Sequence, residues 1–335
     1  MKTSLHPRLI NEPFSDPGIY IPFLYEKRAI MFDLGEINLL TPKDLLKVTH
    51  VFVTHAHMDH FIGFDRLLRI FLGREKELHL FGPPGFFDHV EGKLGGYTWN
   101  LIHEYEYNLA LKVSEVHSDN IFTRTYLCKD AFNHGETEKS DIVSGILYEN
   151  PRFRIRGALL DHRIPCLGLS LEENFSINII SEELEKLSLG AGPWLTEFKR
   201  EIYAKSPEDM DFFVTRTEKG ETFEERKFRL GELTDKIARI TPGQKITYIT
   251  DVIGSSENQQ KIINLSRDSD HLFIEAAFMD QDALTAREKY HLTAAEAGRI
   301  ARDAEVKKLT LFHFSPRYTN MEKELINEAM ESFRG

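Results

Sequence analysis

Residues 48–60 read Val-Thr-His-Val-Phe-Val-Thr-His-Ala-His-Met-Asp-His. The apolar, β-branched run at 48–54 predicts a strand, and three histidines and an aspartate follow within six residues. Side chains two apart on extended backbone point to the same side, so His55 and His57 can grip one ion together. Asp59 and His60 then offer a carboxylate and another imidazole to a neighbouring ion. Neutral imidazole and carboxylate suit zinc, manganese or iron. This density of ligand types behind a strand argues for a metal site rather than a polar turn.

The same arrangement, an apolar strand followed by a ligand, recurs along the chain. Asp161-His162 follows FRIRGALL at 153–160, Asp251 follows KITYIT at 245–250, and His313 closes KKLTLFH at 307–313. Each is weak alone, because an Asp or His behind a strand is commonly a turn or cap residue. Combined with the first cluster, they complete a two-metal site in which Asp251 can bridge. Further strands are expected at 18–24, 28–33, 77–81 and 271–275, and helices at 64–72, 181–188, 194–204, 257–267, 294–304 and 320–333. Such alternation predicts a layered α/β fold. Thr293 and Glu296 fit a capping box at the start of one helix. Segment 190–240 opens with Gly190-Ala-Gly-Pro-Trp194, turns densely charged and delays the strand at 245. A bare loop that long is uncommon in a compact domain, so it reads as an insertion with its own structure.

Composition bounds what such a site can serve. The 335 residues are 41% hydrophobic and 28% charged, enough for the core of a single elaborated α/β domain over 1–335. The formal charge of −11 excludes the broad basic surface of a generic nucleic-acid binder. A polyanion must therefore be met by a local patch or by metal. No stretch approaches the ~20 apolar residues of a membrane span, and the N-terminal sequence predicts no secretory leader. Two cysteines, Cys128 and Cys166, cannot form a disulfide framework, which points to a reducing cytoplasm.

The ordered set His55, His57, Asp59, His60, His162, Asp251 and His313 resembles the metallo-β-lactamase superfamily and, within it, the ribonuclease Z branch. The resemblance runs from about residue 28 to about 320. It implies a four-layer αβ/βα sandwich with an inserted arm, carrying two divalent metal ions, zinc first with manganese or iron as alternatives. His55, His57 and His162 would hold one ion, Asp59, His60 and His313 the other, with Asp251 shared. Asp33 in Met-Phe-Asp-Leu-Gly looks like the family's aspartate behind the histidine loop. Glu275-Ala-Ala-Phe278 and Tyr290-His291-Leu-Thr293 resemble the branch's paired glutamate and histidine, where the histidine protonates the leaving group. Phe314-Ser315-Pro-Arg317-Tyr318 resembles the terminal motif, where Ser315 and Arg317 would hold substrate phosphate. Gly192-Pro193-Trp194-Leu195 opens the insertion where the branch carries its tRNA-gripping arm.

The resemblance thus implies a metal-dependent hydrolase, a phosphodiesterase acting as a tRNA 3′-processing endonuclease in the cytoplasm, with Asp59 orienting the nucleophile. A homodimer is the matching expectation for assembly. The alternative is a small or cyclic nucleotide phosphodiester as substrate, with a thioester or lactone behind it. The sequence departs from the branch in three places. No Gly-Thr-Gly turn precedes Pro7-Arg8, and Ile274 stands where a histidine normally precedes the glutamate. Residues 197–239 carry ten Lys/Arg against eleven Asp/Glu, whereas electrostatic capture of tRNA needs positive charge near phosphates.

Overall fold

The computed structural model describes residues 4–24, 26–218 and 221–335, with the side chains of 216–224 left out of the description. The described chain falls into two compact units. One comprises 5–148, 155–171 and 245–335, and the other is built mainly from 149–154 and 172–244.

The larger unit rests on two sheets. An eight-stranded sheet follows chain order through Arg8–Leu9, Ile19–Pro22, Ala29–Phe32, Val48–Phe52, Lys76–Gly82, Leu109–Val116, Asn120–Leu127 and Glu138–Asp141. A six-stranded sheet runs Leu309–Phe312, His271–Glu275, Lys245–Ile249, Pro165–Glu173, Phe153–Asp161 and Ile146–Glu149. Parallel pairing dominates the centre of the first sheet and one side of the second. Those strands read Ala-Ile-Met-Phe and Leu-Thr-Leu-Phe because parallel strands are covered on both faces. Helices Phe64–Phe71 and Phe86–Gly95 pack one sheet through Leu67, Phe71, Phe86 and Val90. Ser256–Ser266, Ala294–Asp303 and Glu322–Arg334 pack the other. Between the sheets Tyr248 lies 6.0 Å from Phe32 and 5.0 Å from Phe312, ring to ring. Helices outside and sheets facing each other make the αβ/βα sandwich.

Most expected elements form within a few residues of their predicted bounds. The capping box is present: the Thr293 side chain accepts from the Glu296 N–H, and Glu296 accepts from the Thr293 N–H. The helix it starts crosses Glu322–Arg334 so closely that a Cβ at Gly298 would lie 2.1 Å from the Ala329 carbonyl oxygen. Helix Phe86–Gly95 had no sequence signal, because two glycines dilute its propensity. Phe86, Val90 and Leu94, one turn apart, are buried and override that weakness. Strands Leu109–Val116, Asn120–Leu127 and Pro165–Glu173 were likewise not expected.

The second unit contains the 190–240 segment together with 172–189. It has an antiparallel pair, Phe175–Ile179 with Ala238–Pro242, and a hairpin, Asp211–Glu218 with Glu221–Arg229. Helices Ser181–Lys186, Trp194–Tyr203 and Leu230–Ile237 complete it around Trp194, Phe198, Phe212 and Leu233. Trp194 is buried and donates its indole N–H to the Gly190 carbonyl at 2.9 Å, so the Gly-Pro-Trp opening anchors this core. Several of its basic side chains are engaged within the unit. Lys227 and Arg229 share the Asp211 carboxylate at 2.6 and 2.7 Å. Arg226 donates to the Leu187 carbonyl, and Arg200 pairs with Glu201. Half-buried Lys199 has its pKa lowered by burial and by Arg152. Lys219 and the side chains of Arg216, Glu218, Glu221 and Glu224, counted above, lie outside the described residues.

Three histidines of the larger unit titrate abnormally through burial. His50, 4.3 Å from the Tyr148 ring, is pushed down to about 3 by burial and by neighbouring His79. His79 and His271 are pushed down to about 4, again chiefly by burial. Each stays neutral when folded but binds a proton near its ordinary value when unfolded, so the unfolded state takes up more protons on acidification. The contribution of these three histidines to stability should be fully present above about pH 6.5 and be lost toward pH 4. Urea denaturation at stepped pH will show this as a falling midpoint, and His50→Phe should reduce the pH slope by about one proton.

Candidate metal centre

Strand ends deliver the site. Asp33 follows Ala29–Phe32, Asp251 follows Lys245–Ile249, Glu275 closes His271–Glu275, and His313 follows Leu309–Phe312. Thr54, His55 and His57 lead from Val48–Phe52 into a one-turn helix, Met58–Phe61, which carries Asp59 and His60. His162 directly follows Phe153–Asp161. Asp33, Asp251 and His313 leave their strands through left-handed backbone, with φ of 60°, 48° and 58°. Such a conformation costs roughly 1–2 kcal/mol for an ordinary residue, and Asp and His are among the types that tolerate it best.

These residues gather around Asp251. Ligand atoms of His55, His57, His162 and Asp251 lie within 4.8 Å of one another, as do those of Asp59, His60, Asp251 and His313. One Asp251 oxygen is 3.2 Å from His55 Nε2 and 2.8 Å from His60 Nε2, and the other is 2.9 Å from His313 Nδ1. Yet His55 Nε2, His60 Nε2 and His313 Nδ1 are buried without an aligned hydrogen-bond partner. Polar atoms left so carry a desolvation cost of about 1–3 kcal/mol each. Several converging on one carboxylate fit a site for divalent cations, which would satisfy nitrogen and oxygen lone pairs together.

Charge differs between the two groups. Burial lowers the pKa of His55, His57 and His162, holding them neutral, the form that coordinates metal. Burial acts on His60 too, but the carboxylates of Asp251 and Asp33 outweigh it and raise its pKa well above the usual value. Asp251 does the same for His313, with hydrogen bonds to Asp59 and Glu275 adding to it. Burial should raise the pKa of Asp251, yet His313 and His60 hold it well below the usual carboxylate range.

Asp33 stands behind the histidine loop. Its fully buried carboxylate accepts from the Thr54 N–H at 2.7 Å, the Thr54 hydroxyl at 3.0 Å, His60 Nδ1 at 2.9 Å and the Tyr248 hydroxyl at 2.9 Å. Donation from Nδ1 leaves His60 Nε2 facing Asp251. His162 is fixed alike, its Nδ1 lying 2.8 Å from the Tyr290 carbonyl. Sequence reasoning missed Tyr248 and the Tyr290 carbonyl. Tyr248 gave no signal, sitting 215 positions from Asp33 inside an ordinary strand pattern.

Glu275 and His291 meet at the edge of the centre. Glu275 is buried, and His291 Nδ1 lies 2.8 Å from its Oε2, while the other oxygen accepts from the Val252 N–H at 2.8 Å. Burial would lower the pKa of His291, but Glu275 outweighs it and raises it. The pair also comes within 4.8 Å of Asp251 and His313 by ligand atoms. Ser315 and His291 line a cavity of about 740 Å³ with His57, Asp59, His162 and His313. Arg317 is not among its lining residues. Its guanidinium is 3.1 Å from Asp282, whose second oxygen accepts from the Tyr318 hydroxyl.

Two sheets facing each other with a His/Asp centre at their strand ends define the metallo-β-lactamase fold. Among solved structures, the chain is similar to the metallo-β-lactamase fold protein YhfI from Bacillus subtilis (TM-score 0.54, 16% identity, 98% of this chain and 95% of that one). It is also similar to the short form of human tRNase Z (TM-score 0.50, 18% identity, 94% and 93%). No family model matches the chain. Along nearly its whole length it resembles ribonuclease Z. It is 28% identical to the enzyme of that name from Deinococcus radiodurans over 98% of this chain and 96% of the relative. It is 29% identical to that from Nanoarchaeum equitans over 88% and 77%.

Replacing Asp33 by Asn exchanges one of its two acceptor oxygens for an NH2 donor, so Thr54, Tyr248 and His60 can no longer all be satisfied. Metal affinity should fall about 10–100-fold, as for other partners of metal ligands. Titration with zinc or manganese will measure it, and Tyr248→Phe should have the smaller effect because three donors to Asp33 remain.

Proposed function

We propose that this chain is a metal-dependent phosphodiesterase that cleaves precursor tRNA at its 3′ end, as the name ribonuclease Z implies for its relatives. The observation that carries this reading is the Glu275–His291 pair at 2.8 Å beside seven converging His and Asp side chains. His55, His57 and His162 would hold one ion, Asp59, His60 and His313 a second, and Asp251 both, with zinc first and manganese or iron as alternatives. Divalent ions held there supply Lewis acidity to the phosphoryl group and lower the pKa of the attacking water. Asp59, 42% exposed at the cavity, orients that water. His291, whose Nδ1 is tied to Glu275, presents Nε2 to the departing oxygen and gives it a proton. Ser315 contacts substrate phosphate from the cavity wall, and Arg317 would have to leave Asp282 to join it.

One observation favours the runner-up, a small or cyclic nucleotide phosphodiester. Four of the basic side chains in 190–240, Arg200, Arg226, Lys227 and Arg229, are paired with acids or carbonyls of their own unit. Exposed pairs are worth only about 0–1 kcal/mol, so tRNA phosphates could displace them, and the tRNA reading stands first. Action in the cytoplasm and as a homodimer completes the proposal; among the described residues no helix is long and apolar enough to cross a membrane.

Elemental analysis of protein purified without chelator should find two transition-metal ions per chain, and a metal-free protein that takes up neither zinc nor manganese would refute the centre. His291→Ala should keep its metal while losing about 10²–10⁴-fold in turnover, the range of general acid–base catalysis. Cleavage of precursor tRNA beside bis(p-nitrophenyl) phosphate decides the substrate. Activity confined to the latter would favour the small phosphodiester.

A further inference from the structure

A nucleic-acid strand brings several phosphates to a cavity, and the His/Asp centre answers only the reacting one. Among the described residues, Arg163 and Lys289 are the permanently cationic side chains lining that cavity. Arg317 is engaged by Asp282 outside it.

Arg163 is held in place before any ligand arrives. It follows His162 with φ of 63°, and its N–H donates to the Asp161 carboxylate at 2.9 Å. Its guanidinium lies 4.6 Å from the centre of the Tyr290 ring, and Tyr290 is itself left-handed at φ of 61°. Two such residues in contact persist only where their surroundings over-determine them. Here the surroundings include the Tyr290 carbonyl holding His162 at 2.8 Å. The contact with the Tyr290 ring draws on the charge of the guanidinium and uses none of its N–H donors in a conventional hydrogen bond. Among the described residues their hydrogen-bond contact is with the Glu288 carbonyl at 3.5 Å, too long to hold them. A planar fork of donors matches phosphate geometry, and the ordering cost on binding is small because the ring contact already restricts the side chain.

We infer, on the reading that this centre cleaves a nucleic-acid phosphodiester, that Arg163 is a specificity-determining residue binding a substrate phosphate that flanks the scissile one. A substrate with a single phosphate cannot use that contact, so Arg163 sets the preference between substrates.

The test compares kcat/KM on precursor tRNA with kcat/KM on bis(p-nitrophenyl) phosphate for wild type, Arg163→Ala and Arg163→Lys, with metal content measured for each. The ratio should fall about tenfold in Arg163→Ala and less in Arg163→Lys. The salt dependence of tRNA binding should lose about one unit of slope, the signature of one phosphate contact. An unchanged ratio and slope in a wild type that cleaves tRNA would overturn the role of Arg163 alone. An equal fall on both substrates with loss of metal would overturn it too, showing support of His162 through Tyr290 instead. A wild type that hydrolyses only bis(p-nitrophenyl) phosphate would reject the tRNA reading and this inference with it.

Discussion

The carboxylate of Asp33 is the constraint on which the centre depends. It is fully buried and accepts from Thr54 and His60 on the histidine loop and from Tyr248 on the opposite sheet. A buried carboxylate left unpaired would cost several kcal/mol. Its partners therefore hold the loop and the two sheets in one register. Through His60 that register reaches Asp251, and through Asp251 it reaches His55 and His313. The sandwich and the centre are in this sense one structure.

Three carboxylates, Asp33, Asp251 and Glu275, are buried within this chain of contacts. Desolvation opposes the ionisation of Asp251 and Glu275, and the imidazoles of His60, His313 and His291 offset it. Imidazolium and divalent cation compete for the same oxygens, so proton release should accompany metal binding. Asp33 accepts from Nδ1 of His60 and so leaves Nε2 as the atom that faces Asp251. His291 differs from the others in that its Nδ1 makes the close 2.8 Å contact with Glu275. On the proposed function, that difference separates a proton donor from a ligand, although both are histidines near the same carboxylate.

The sheets explain why the centre sits where it does. Parallel strands Ala29–Phe32, Val48–Phe52, Lys245–Ile249, His271–Glu275 and Leu309–Phe312 all end at it, and ligands collect beyond the carboxyl ends of such strands. Apolar runs make the strands, and polar residues just past their ends have no apolar face to join. The second unit obeys a different logic. Its apolar residues surround Trp194 and Phe198, and its charges pair locally.

The sequence by itself determined the local features. His-x-His-x-Asp-His spacing, the apolar runs and the Thr293–Glu296 box are short-range patterns, and extended or helical geometry converts each directly into direction. They singled out residues that the structure gathers around Asp251 in groups of four, the ligand atoms of each group within 4.8 Å of one another, and most of the strands and helices. Only the tertiary structure decided what depended on distant partners. Helix Phe86–Gly95 exists because Phe86, Val90 and Leu94 find a core to fill. Tyr248 serves Asp33 across 215 positions. Arg317 turns to Asp282 and Arg163 lies over the Tyr290 ring, choices that residue type leaves open because a guanidinium suits a carboxylate, a phosphate or an aromatic ring. Spacing along the chain fixes which groups are available; packing between distant segments fixes which of them meet.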